Sequence, residues 1–597
     1  MSEVLVFDIE VFKDYFLVAF RNIATGNVAR FEKFDGKALN SARIKSLLTS
    51  HTVVGFNSIT FDWPILSYAL IGATCEQLKK ASDAVIMQNL RGWQLCKQFG
   101  FNEFAHKDVN HIDLIEVAPG FASLKTYAGR MHLAKLQDLP IEPDASISPE
   151  YRKVLSDYCG NDLIATEALY RTLLQQIELR KKMTLEYGIN LLSKSDAQIA
   201  EAVIKSEVEK TMKTKIMFRS VDVGQQFHYT APKWMRFKTK SMKDALKMVT
   251  GVTFSMPDSG QVKMPPELVK ATVAIGGGVY RMGIGGLHSS ETCIAHHSDD
   301  EHKLIDRDVA SYYPNLILTL CLEPEQMAGS FLGVYRTIVE KRLAAKAAGD
   351  TVTADSLKIC VNGSFGKLGS KYSALYAPEL LIQVTLTGQL ALLMLIEALE
   401  EDGIPVVSAN TDGVVMKVPR AYQAKADAIV AKWEERTSLQ TDATEYAALY
   451  SRDVNNYIAI KPGGGMKLKG AYARGGLAKN PNNEVCIGAV AKYLTDRVSV
   501  EDTIASCQDI TKFLTVRKVA GGAIKDGAYL GKTIRWYYSL VEAGVIQYKS
   551  NGYRVPRTEG AAPCMDLPGA LPVDMDHQWY VNEALSILED IGAIAKE

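Results

Sequence analysis

The chain has 597 residues, which is too long for one hydrophobic core and predicts about three to five packed units. Apolar residues make up 47% of it and charged residues 23%, as in ordinary globular proteins. Lys plus Arg and Asp plus Glu number 68 each, so the net charge neither indicates nor excludes a nucleic-acid partner, because a large protein can collect basic residues on one face.

Cysteine spacing and hydropathy argue against structural metal sites, a signal peptide and membrane spans. The nine cysteines contain no C-x-x-C pair and no cluster with histidine, which argues against structural zinc or an iron–sulfur cluster and suits a reducing cytosol. The first apolar run, in MSEVLVFDIEVF, is short and contains acidic residues, so we expect no signal peptide. We find no uninterrupted apolar span of membrane length and expect no membrane partner.

The first third of the sequence predicts an α/β unit over residues 1–185. Four short apolar runs near its start are typical of strands: VLVFDIE, YFLVAF, VARFEKF and TVVGFN. From Ser148 to about Glu186 the apolar residues recur at helical spacing. Ser148 followed by Pro149 predicts the N-cap and the first helical position.

Helical and extended patterns alternate in the rest of the chain. A Gly-rich segment covers residues 274–290, and two helices joined by a turn are predicted over 330–348 and 354–366. Two apolar strands around a polar turn predict a hairpin over 404–418. We expect the segment after residue 476 to mix helices and loops.

Four carboxylates in the first third form a candidate catalytic set. Asp8 and Glu10 are two residues apart on the first strand, so they share one face of it. Asp62 follows another strand, and Asp162 lies four residues after Tyr158 on the predicted helix, on the same helical face. Hydrolysis of phosphodiesters with two metal ions needs such a set, because carboxylates hold the two divalent cations.

Around these carboxylates, DIE, NSITFD and Y-x-x-x-D resemble the three motifs of the DEDDy exonucleases attached to family B DNA polymerases of bacteriophage type. The resemblance implies an RNase H-like fold, 3′→5′ proofreading and four carboxylate metal ligands. Tyr158 would orient the attacking water, and Asn57 and Phe61 would bind the single-stranded 3′ end. A catalytic lysine of the protein-primed branch corresponds to Lys135, for which a surface lysine is the alternative, and Lys125 is a competing candidate.

A second set of motifs begins at DVASYYP, which resembles motif A of the same family. The resemblance implies that Asp308 binds both catalytic metals. Ser311 and Tyr312 would offer backbone N–H groups to the dNTP triphosphate, while Tyr313 would exclude a ribose 2′-OH. The turn NTDG resembles motif C, usually D-T-D-S, so Asp412 would be the second essential ligand, although this turn is common in other hairpins too.

KICVNGSFG resembles motif B of the family. Its Lys358, Asn362 and Phe365 fall at i, i+4 and i+7, on one helical face. Lys358 would neutralise charge on the departing pyrophosphate, and the other two would contact the nascent base pair. Arg342 and Lys346 on the preceding helix are interpreted as further dNTP ligands, with a solvated helix face as the alternative.

The segment after motif C resembles a further part of the family pattern, and four residues of the chain depart from that pattern. VNNYIAI and MKLKGAYAR resemble a primer-binding segment, in which the implied DNA contacts are Tyr457, Lys469 and Gly470. Asn410 replaces the first aspartate of motif C, which makes the metal site less anionic and leaves its role as a ligand open. Gly363 and Phe365 replace the serine and the tyrosine of motif B, which removes contacts that depend on a hydroxyl, and Asn455 replaces a primer-binding lysine.

The resemblance implies an α/β and α+β multidomain chain, in which an RNase H-like exonuclease precedes a right-hand polymerase with palm, fingers and thumb. The expected domains are the exonuclease (1–185), a linker and palm with motif A (186–325), the fingers with motif B (326–370), the palm with motif C (371–475) and the thumb (476–597). The short interval between motifs A and B leaves little room for the insertions of the protein-primed branch and argues against protein priming.

The implied activity is DNA-directed DNA synthesis from a primer 3′-OH with proofreading, using two Mg²⁺ ions per active site, or Mn²⁺. The expected partners are primer–template DNA, a single-stranded 3′ end, dNTPs and other replisome proteins, for a monomer in the cytoplasm of a bacterial host. One alternative is an exonuclease whose polymerase half has become a DNA-binding module. Others are a polymerase that also starts chains or copies RNA, and a structural replication protein.

Overall fold

The computed structural model of the chain describes residues 3–104 and 109–596. The strands are β1 (Val4–Val11), β2 (Tyr15–Asn22), β3 (Val28–Phe34), β4 (Thr52–Gly55), β5 (His111–Asp113), β6 (Gln226–His228), β7 (Thr253–Ser255), β8 (Thr272–Ile275), β9 (Gly278–Gly283), β10 (Gly286–Ser289), β11 (Thr292–His297), β12 (His302–Val309), β13 (Val406–Asn410), β14 (Gly413–Pro419), β15 (Thr441–Tyr446), β16 (Ala448–Asp453), β17 (Asn456–Ile460), β18 (Met466–Leu468), β19 (Thr515–Lys525), β20 (Ala528–Tyr538), β21 (Gln547–Tyr548) and β22 (Ala561–Pro563). The helices are α1 (Ser41–Ser50), α2 (Asp62–Leu70), α3 (Cys75–Gln88), α4 (Gly92–Phe99), α5 (Leu114–Val117), α6 (Leu124–Arg130), α7 (Pro149–Thr172), α8 (Leu174–Tyr187), α9 (Asp196–Met212), α10 (Lys240–Gly251), α11 (Pro266–Lys270), α12 (Tyr312–Thr319), α13 (Phe331–Ala347), α14 (Thr351–Lys367), α15 (Pro378–Glu401), α16 (Gln423–Thr437), α17 (Glu484–Asp496), α18 (Val500–Ser506) and α19 (His577–Asp590).

The chain divides into two compact units, each built from three stretches of sequence. The first unit contains Met1–Ser195, Arg474–Gly488 and Glu501–Val581, and the second contains Asp196–Ala473, Ala489–Val500 and Asn582–Glu597. The finer division into five domains stays a prediction.

A five-stranded sheet in the order β3-β2-β1-β4-β5 organises the first unit. β1 pairs antiparallel with β2 and parallel with β4, so the central strand β1 is buried on both faces. One face packs against α1, α2 and α3, and the other against α7 and α8. Because both faces of β1, β2 and β4 are covered, these three strands are nearly continuous apolar runs. The four strands predicted near the N-terminus are confirmed.

Helix α7 begins as the sequence predicts. The Ser148 hydroxyl accepts a hydrogen bond from the Tyr151 N–H, and Pro149 occupies the first turn, where its missing N–H costs nothing. The side chains of Leu155, Leu163 and Leu169 are fully buried against the sheet. Because strand residues alternate in direction, Asp8 and Glu10 lie on the same face of β1 as Val6, the face that α7 covers.

The expectation of helices and loops after residue 476 is wrong in one respect. β19 and β20 form a long antiparallel hairpin in a four-stranded sheet of order β21-β19-β20-β22, within the first unit. The pairing register shifts between Lys518 and Ala523, around Gly521 and Gly522, which both have positive φ. This glycine pair interrupts the alternating apolar pattern of β19, so the sequence showed no strand there.

The second unit contains a seven-stranded antiparallel sheet in the order β15-β12-β14-β13-β10-β9-β8. The hairpin predicted over 404–418 is confirmed as β13 and β14, and β12 pairs with β14 on one side and β15 on the other. The Gly-rich segment forms β8, β9 and β10. The two helices predicted over 330–348 and 354–366 are confirmed as α13 and α14.

Helix α15 packs against this sheet. Within the part of the chain that the structure describes, it is the one helix long and apolar enough to cross a membrane by length and composition. Its most apolar stretch is 78% buried inside the protein, which is how a core helix is placed. Polar residues in the run TLTGQ interrupt its apolar pattern.

Gly363 allows α14 to approach α9 closely. A Cβ at this position would lie 2.9 Å from the Ala200 Cβ and 3.2 Å from the Ala197 Cα. A serine at this position would therefore not fit without a shift of one helix, which gives a packing reason for the glycine.

We expect Gly363→Ala to lower the free energy of unfolding by about 1–3 kcal/mol, because the added methyl group overlaps α9. Urea denaturation followed by circular dichroism measures the change. Gly366→Ala on the same helix is the matched control, since a Cβ there meets no atom within 4 Å. We expect the control to be neutral or more stable by up to about 1 kcal/mol, and equal losses in both variants would contradict the packing argument.

Candidate functional site

The first carboxylate cluster (Asp8, Glu10, Asp62 and Asp162) lies in the first unit, where β1, the start of α2 and the middle of α7 meet. Side-chain oxygens of Asp8 and Glu10 and the Cys159 sulfur all lie within 4.8 Å of one another. The charge of Asp162 raises the pKa of Asp8, and the charges of the other three carboxylates raise the pKa of Glu10. The structure therefore brings together all four carboxylates singled out in the sequence.

Burial is the main cause that raises the pKa of each carboxyl group in this cluster, and repulsion by neighbouring carboxylates of the cluster adds to it for Asp8, Glu10 and Asp62. The pKa of Asp8 rises to about 7. Buried carboxylates repel one another unless cations neutralise them. Oxygen atoms of carboxylates are the ligands that Mg²⁺ and Mn²⁺ prefer, so the donor set fits these ions.

Lys125, on α6, is the lysine that belongs to this cluster. It forms an ion pair with Asp162, and its Nζ lies 4.3 Å from the centre of the Tyr158 ring. Its positive charge opposes this rise and offsets part of it in the pKa of Asp8, Glu10 and Asp162. Lys135, the other candidate, is exposed, and its backbone forms a bridge with Asp566.

Asn57 and Phe61 lie in the loop between β4 and α2, and Asp113 holds this loop. Asn57 has a φ of 58°, and Phe61 directly precedes α2 and packs partly buried against the core. The Asp113 carboxylate accepts a hydrogen bond of 2.8 Å from the Ile59 N–H. Asp113 was not predicted from the sequence, although its position at the end of β5 resembles that of the acids on β1.

The second carboxylate cluster (Asp306, Asp308 and Asp412) lies in the second unit and lines a cavity of about 340 Å³. Asp308 on β12 pairs with Gly413 on β14, and the Val309 N–H donates a 2.7 Å hydrogen bond to the Asp412 carbonyl. This register places the turn of the hairpin beside the end of β12. Burial raises the pKa of Asp308 and of Asp412.

Asp306 and Lys467 belong to this cluster but were missed in the sequence. Lys467 Nζ lies 3.0 Å from Asp306 Oδ2 and 3.5 Å from Asp308 Oδ2. Asp306 is buried and also accepts a hydrogen bond from the Tyr446 hydroxyl. The D-x-D spacing on β12 is the one sequence signal that could have identified Asp306, because residues two apart share a face of a strand.

The amide of Asn410 has a partner that an aspartate could not use. Its Nδ2 donates a 2.8 Å hydrogen bond to the Val454 carbonyl, and its Oδ1 accepts one of 3.0 Å from the Thr411 hydroxyl. Thr411 has a φ of 56°, and a Cβ at Gly286 would lie 2.9 Å from it. Gly286 and Asn410 therefore shape the turn that carries Asp412.

Five residues predicted to contact a dNTP lie on or beside α12. The Ser311 hydroxyl accepts a 2.8 Å hydrogen bond from Arg342, and the Tyr313 ring stacks on Phe365 with the ring centres 4.2 Å apart. The N–H groups of Tyr312 and Tyr313 lie in the first turn of α12, where N–H groups have no acceptor within the helix. The Tyr312 side chain is buried and donates to the Gly388 carbonyl.

The other residues predicted to contact the dNTP or the DNA lie on α13 and α14, on β17 and just after β18. Lys358 and Asn362 are exposed on α14, two turns and one turn before Phe365, and Lys346 is exposed near the end of α13. Tyr457 and Lys469 line the same cavity as Asp308. Gly470 has a φ of 60°, and a Cβ there would lie 2.2 Å from the Asn455 carbonyl oxygen, so no side chain fits at this position.

Comparison with known proteins gives partial similarity to DNA polymerases. The chain is 25% identical over 126 residues to DNA polymerase 1 of the archaeon Saccharolobus solfataricus, which is 21% of this chain and 14% of that protein. The structure of a family B DNA polymerase from the hyperthermophilic archaeon Pyrobaculum calidifontis matches it with a TM-score of 0.42 and 14% identity, over 100% of this chain and 79% of the other. No protein-family model matches the chain. The sequence similarity thus covers about a fifth of the chain and a seventh of its archaeal relative.

Proposed function

We propose that this chain is a family B DNA polymerase that extends a primer 3′-OH with dNTPs and carries a separate 3′→5′ proofreading exonuclease. One observation carries the proposal: the pairing of β12 with β14 sets Asp412, on a hairpin turn, beside Asp308 at one cavity. The order of the sequence motifs and the similarity to an archaeal DNA polymerase support it.

In the proposed synthesis reaction, Asp308 and Asp412 would hold two Mg²⁺ ions, or Mn²⁺. When bound, these ions would supply Lewis-acid activation of the primer 3′-OH and charge stabilisation at the departing pyrophosphate. Arg342 would bind the triphosphate beside the first turn of α12, where N–H groups also favour an anion. Lys358 and Lys346, exposed on their helices, would add positive charge along the same nucleotide.

Other residues of this unit would bind the nascent pair and the primer. The stacked rings of Tyr313 and Phe365 would form one wall of the nucleotide site, with Asn362 next to it on α14. Tyr457 and Lys469, which line the cavity, and the backbone at Gly470 would contact the primer strand.

For proofreading, the first carboxylate cluster would hold the metal ions for hydrolysis of the terminal phosphodiester. Burial and neighbouring charges raise the pKa of Tyr158, so its phenol stays protonated and can donate a hydrogen bond that orients water. Asn57 and Phe61 would bind the unpaired 3′ end. A mixed five-stranded sheet with two of the carboxylates on its central strand supports the RNase H-like interpretation.

From the resemblance of the motifs alone, we further propose replication of bacteriophage DNA in the cytoplasm of a bacterial host. The chain would act as a monomer on primer–template DNA, together with other replisome proteins.

A 5′-labelled primer annealed to a longer template, with Mg²⁺ and one dNTP at a time, tests the proposed function. We expect the wild-type chain to add only the nucleotide complementary to the template and, without dNTPs, to shorten the primer from its 3′ end. Degradation without extension would contradict the polymerase and favour an exonuclease with a DNA-binding module. Extension without degradation would contradict the proofreading half.

Replacement of Tyr313 tests how the proposed nucleotide site excludes ribonucleotides. We expect Tyr313→Val to raise incorporation of rNTPs relative to dNTPs by at least about ten-fold, because the space beside the sugar becomes open. Steady-state primer extension with each nucleotide class measures the ratio. Tyr372→Val, which changes an exposed tyrosine in the same unit, is the control, and an unchanged ratio in Tyr313→Val would contradict this role.

A further inference from the structure

The second carboxylate cluster contains a cation of its own. Lys467 bridges Asp306, at 3.0 Å, and Asp308, at 3.5 Å. The Asp306 carboxylate is 4% exposed and is held by the Tyr446 hydroxyl, so this ion pair is anchored at its buried end. Asp308, at the other end, has a half-exposed side chain.

The charges around the cavity are nearly balanced without any metal ion. Its lining contains the carboxylates Asp306, Asp308 and Asp412 and the ammonium groups of Lys467 and Lys469, and Asn410 adds no charge. The lining therefore carries a net charge of −1, which a single divalent cation already exceeds. Two divalent cations at this site need further negative charge, and the triphosphate of a nucleotide supplies it.

Lys467 and a metal ion would compete for the same oxygen atoms. While Lys467 remains 3.5 Å from the Asp308 carboxylate, its positive charge offsets part of the negative charge there. Asp308 therefore attracts a divalent cation less strongly. Asp306 offers the ammonium group a place to remain when it leaves Asp308, because that contact is shorter and buried. Asp306 would thus act through Lys467 rather than on the substrate.

We propose that Lys467, anchored by Asp306, is a resident countercharge that keeps divalent cations weakly bound at Asp308 until a nucleotide enters. Lys467 and Asp306 are positioning residues in this account, which rests on the proposed polymerase function. The site would take up metal together with the nucleoside triphosphate, and Lys467 would move toward Asp306 as it does so.

Binding of Mn²⁺ to the full-length chain, measured without DNA or nucleotide, tests the inference. The chain carries Asp8→Ala and Glu10→Ala so that the first carboxylate cluster does not contribute, and the electron paramagnetic resonance signal reports free Mn²⁺. We expect Lys467→Met to tighten Mn²⁺ binding by about ten-fold, since a positive charge next to the ligands is removed. Lys467→Arg is expected to retain the weak binding, and Asp306→Asn to weaken it further.

Lys303→Met is the matched control, because Lys303 forms a 3.1 Å ion pair with Glu445 between β12 and β15 in the same sheet. We expect no change in its Mn²⁺ affinity. Equal or weaker binding in both Lys467→Met and Lys467→Gln, with circular dichroism unchanged, would overturn the inference. Primer extension gives a second measurement, in which the Mg²⁺ concentration for half-maximal rate should fall in Lys467→Met. Wild-type chain without extension activity would contradict the proposed function but would leave the Mn²⁺ comparison intact.

Discussion

Asp308→Ala is expected to slow primer extension by at least about 10³-fold and to leave 3′ degradation at the wild-type rate, because loss of the proposed metal ligand would remove several kcal/mol of transition-state stabilisation. Asp8→Ala is expected to have the reverse effect. The reason is that the two carboxylate clusters lie in different units of the chain and share no residue. A labelled primer–template with Mg²⁺, with and without dNTPs, measures both reactions in each variant.

Two neighbouring carboxylates provide matched controls for this pair of variants. Asp442 lies directly opposite Asp308 on β15 and is exposed, and Asp157 is exposed on α7 next to Tyr158. We expect Asp442→Ala and Asp157→Ala to retain both activities within about two-fold, since exposed surface charges contribute little. Loss of both reactions in Asp308→Ala alone would contradict two independent sites and indicate a shared one.

Lys125→Ala is expected to slow 3′ degradation by about 10²-fold while primer extension remains unchanged. Lys125 is the positive charge within the first carboxylate cluster, paired with Asp162 and placed over the Tyr158 ring. Without it, the negative charge that develops on the scissile phosphate would lose a stabilising partner, and Asp162 would lose the cation that positions it. Single-turnover degradation of a 3′-labelled single strand measures the effect.

Lys135→Ala is the matched control for this prediction, because Lys135 lies on the same stretch of chain but is exposed. We expect its degradation rate to equal that of the wild type. The opposite result, with activity lost in Lys135→Ala and kept in Lys125→Ala, would show that the exposed lysine moves to the substrate and that the ion pair of Lys125 with Asp162 is not part of the active arrangement.

The elements that the sequence predicted correctly depend on local patterns. The apolar runs of β1 to β4, the Ser148 cap of α7 and the hairpin turn between β13 and β14 each involve residues that are close in sequence. Asp8 and Glu10 are also close in sequence, and their spacing of two residues placed them on one face of β1. The order of the motifs along the chain then grouped the distant carboxylates into two sets.

Contacts between residues far apart in the chain explain most of the site residues that could not be predicted from the sequence. Lys467 meets Asp306 across 161 positions of the chain, and Asn410 meets the Val454 carbonyl across 44. The glycine pair in β19 concealed a strand because it breaks the alternating pattern. The choice between Lys125 and Lys135 depended on which of them faces α7, and nothing in their local sequences differs in a way that decides it.

The sequence by itself therefore determined which chemical groups this protein has and the local elements that carry them, because side-chain periodicity, caps and turns act over a few residues. Only the tertiary structure decided which groups meet. Strand register placed Asp412 beside Asp308, and the packing of α6 and α7 placed Lys125 on Asp162. Both arrangements arise from burial of apolar faces that lie far apart along the chain, and no local pattern specifies such contacts.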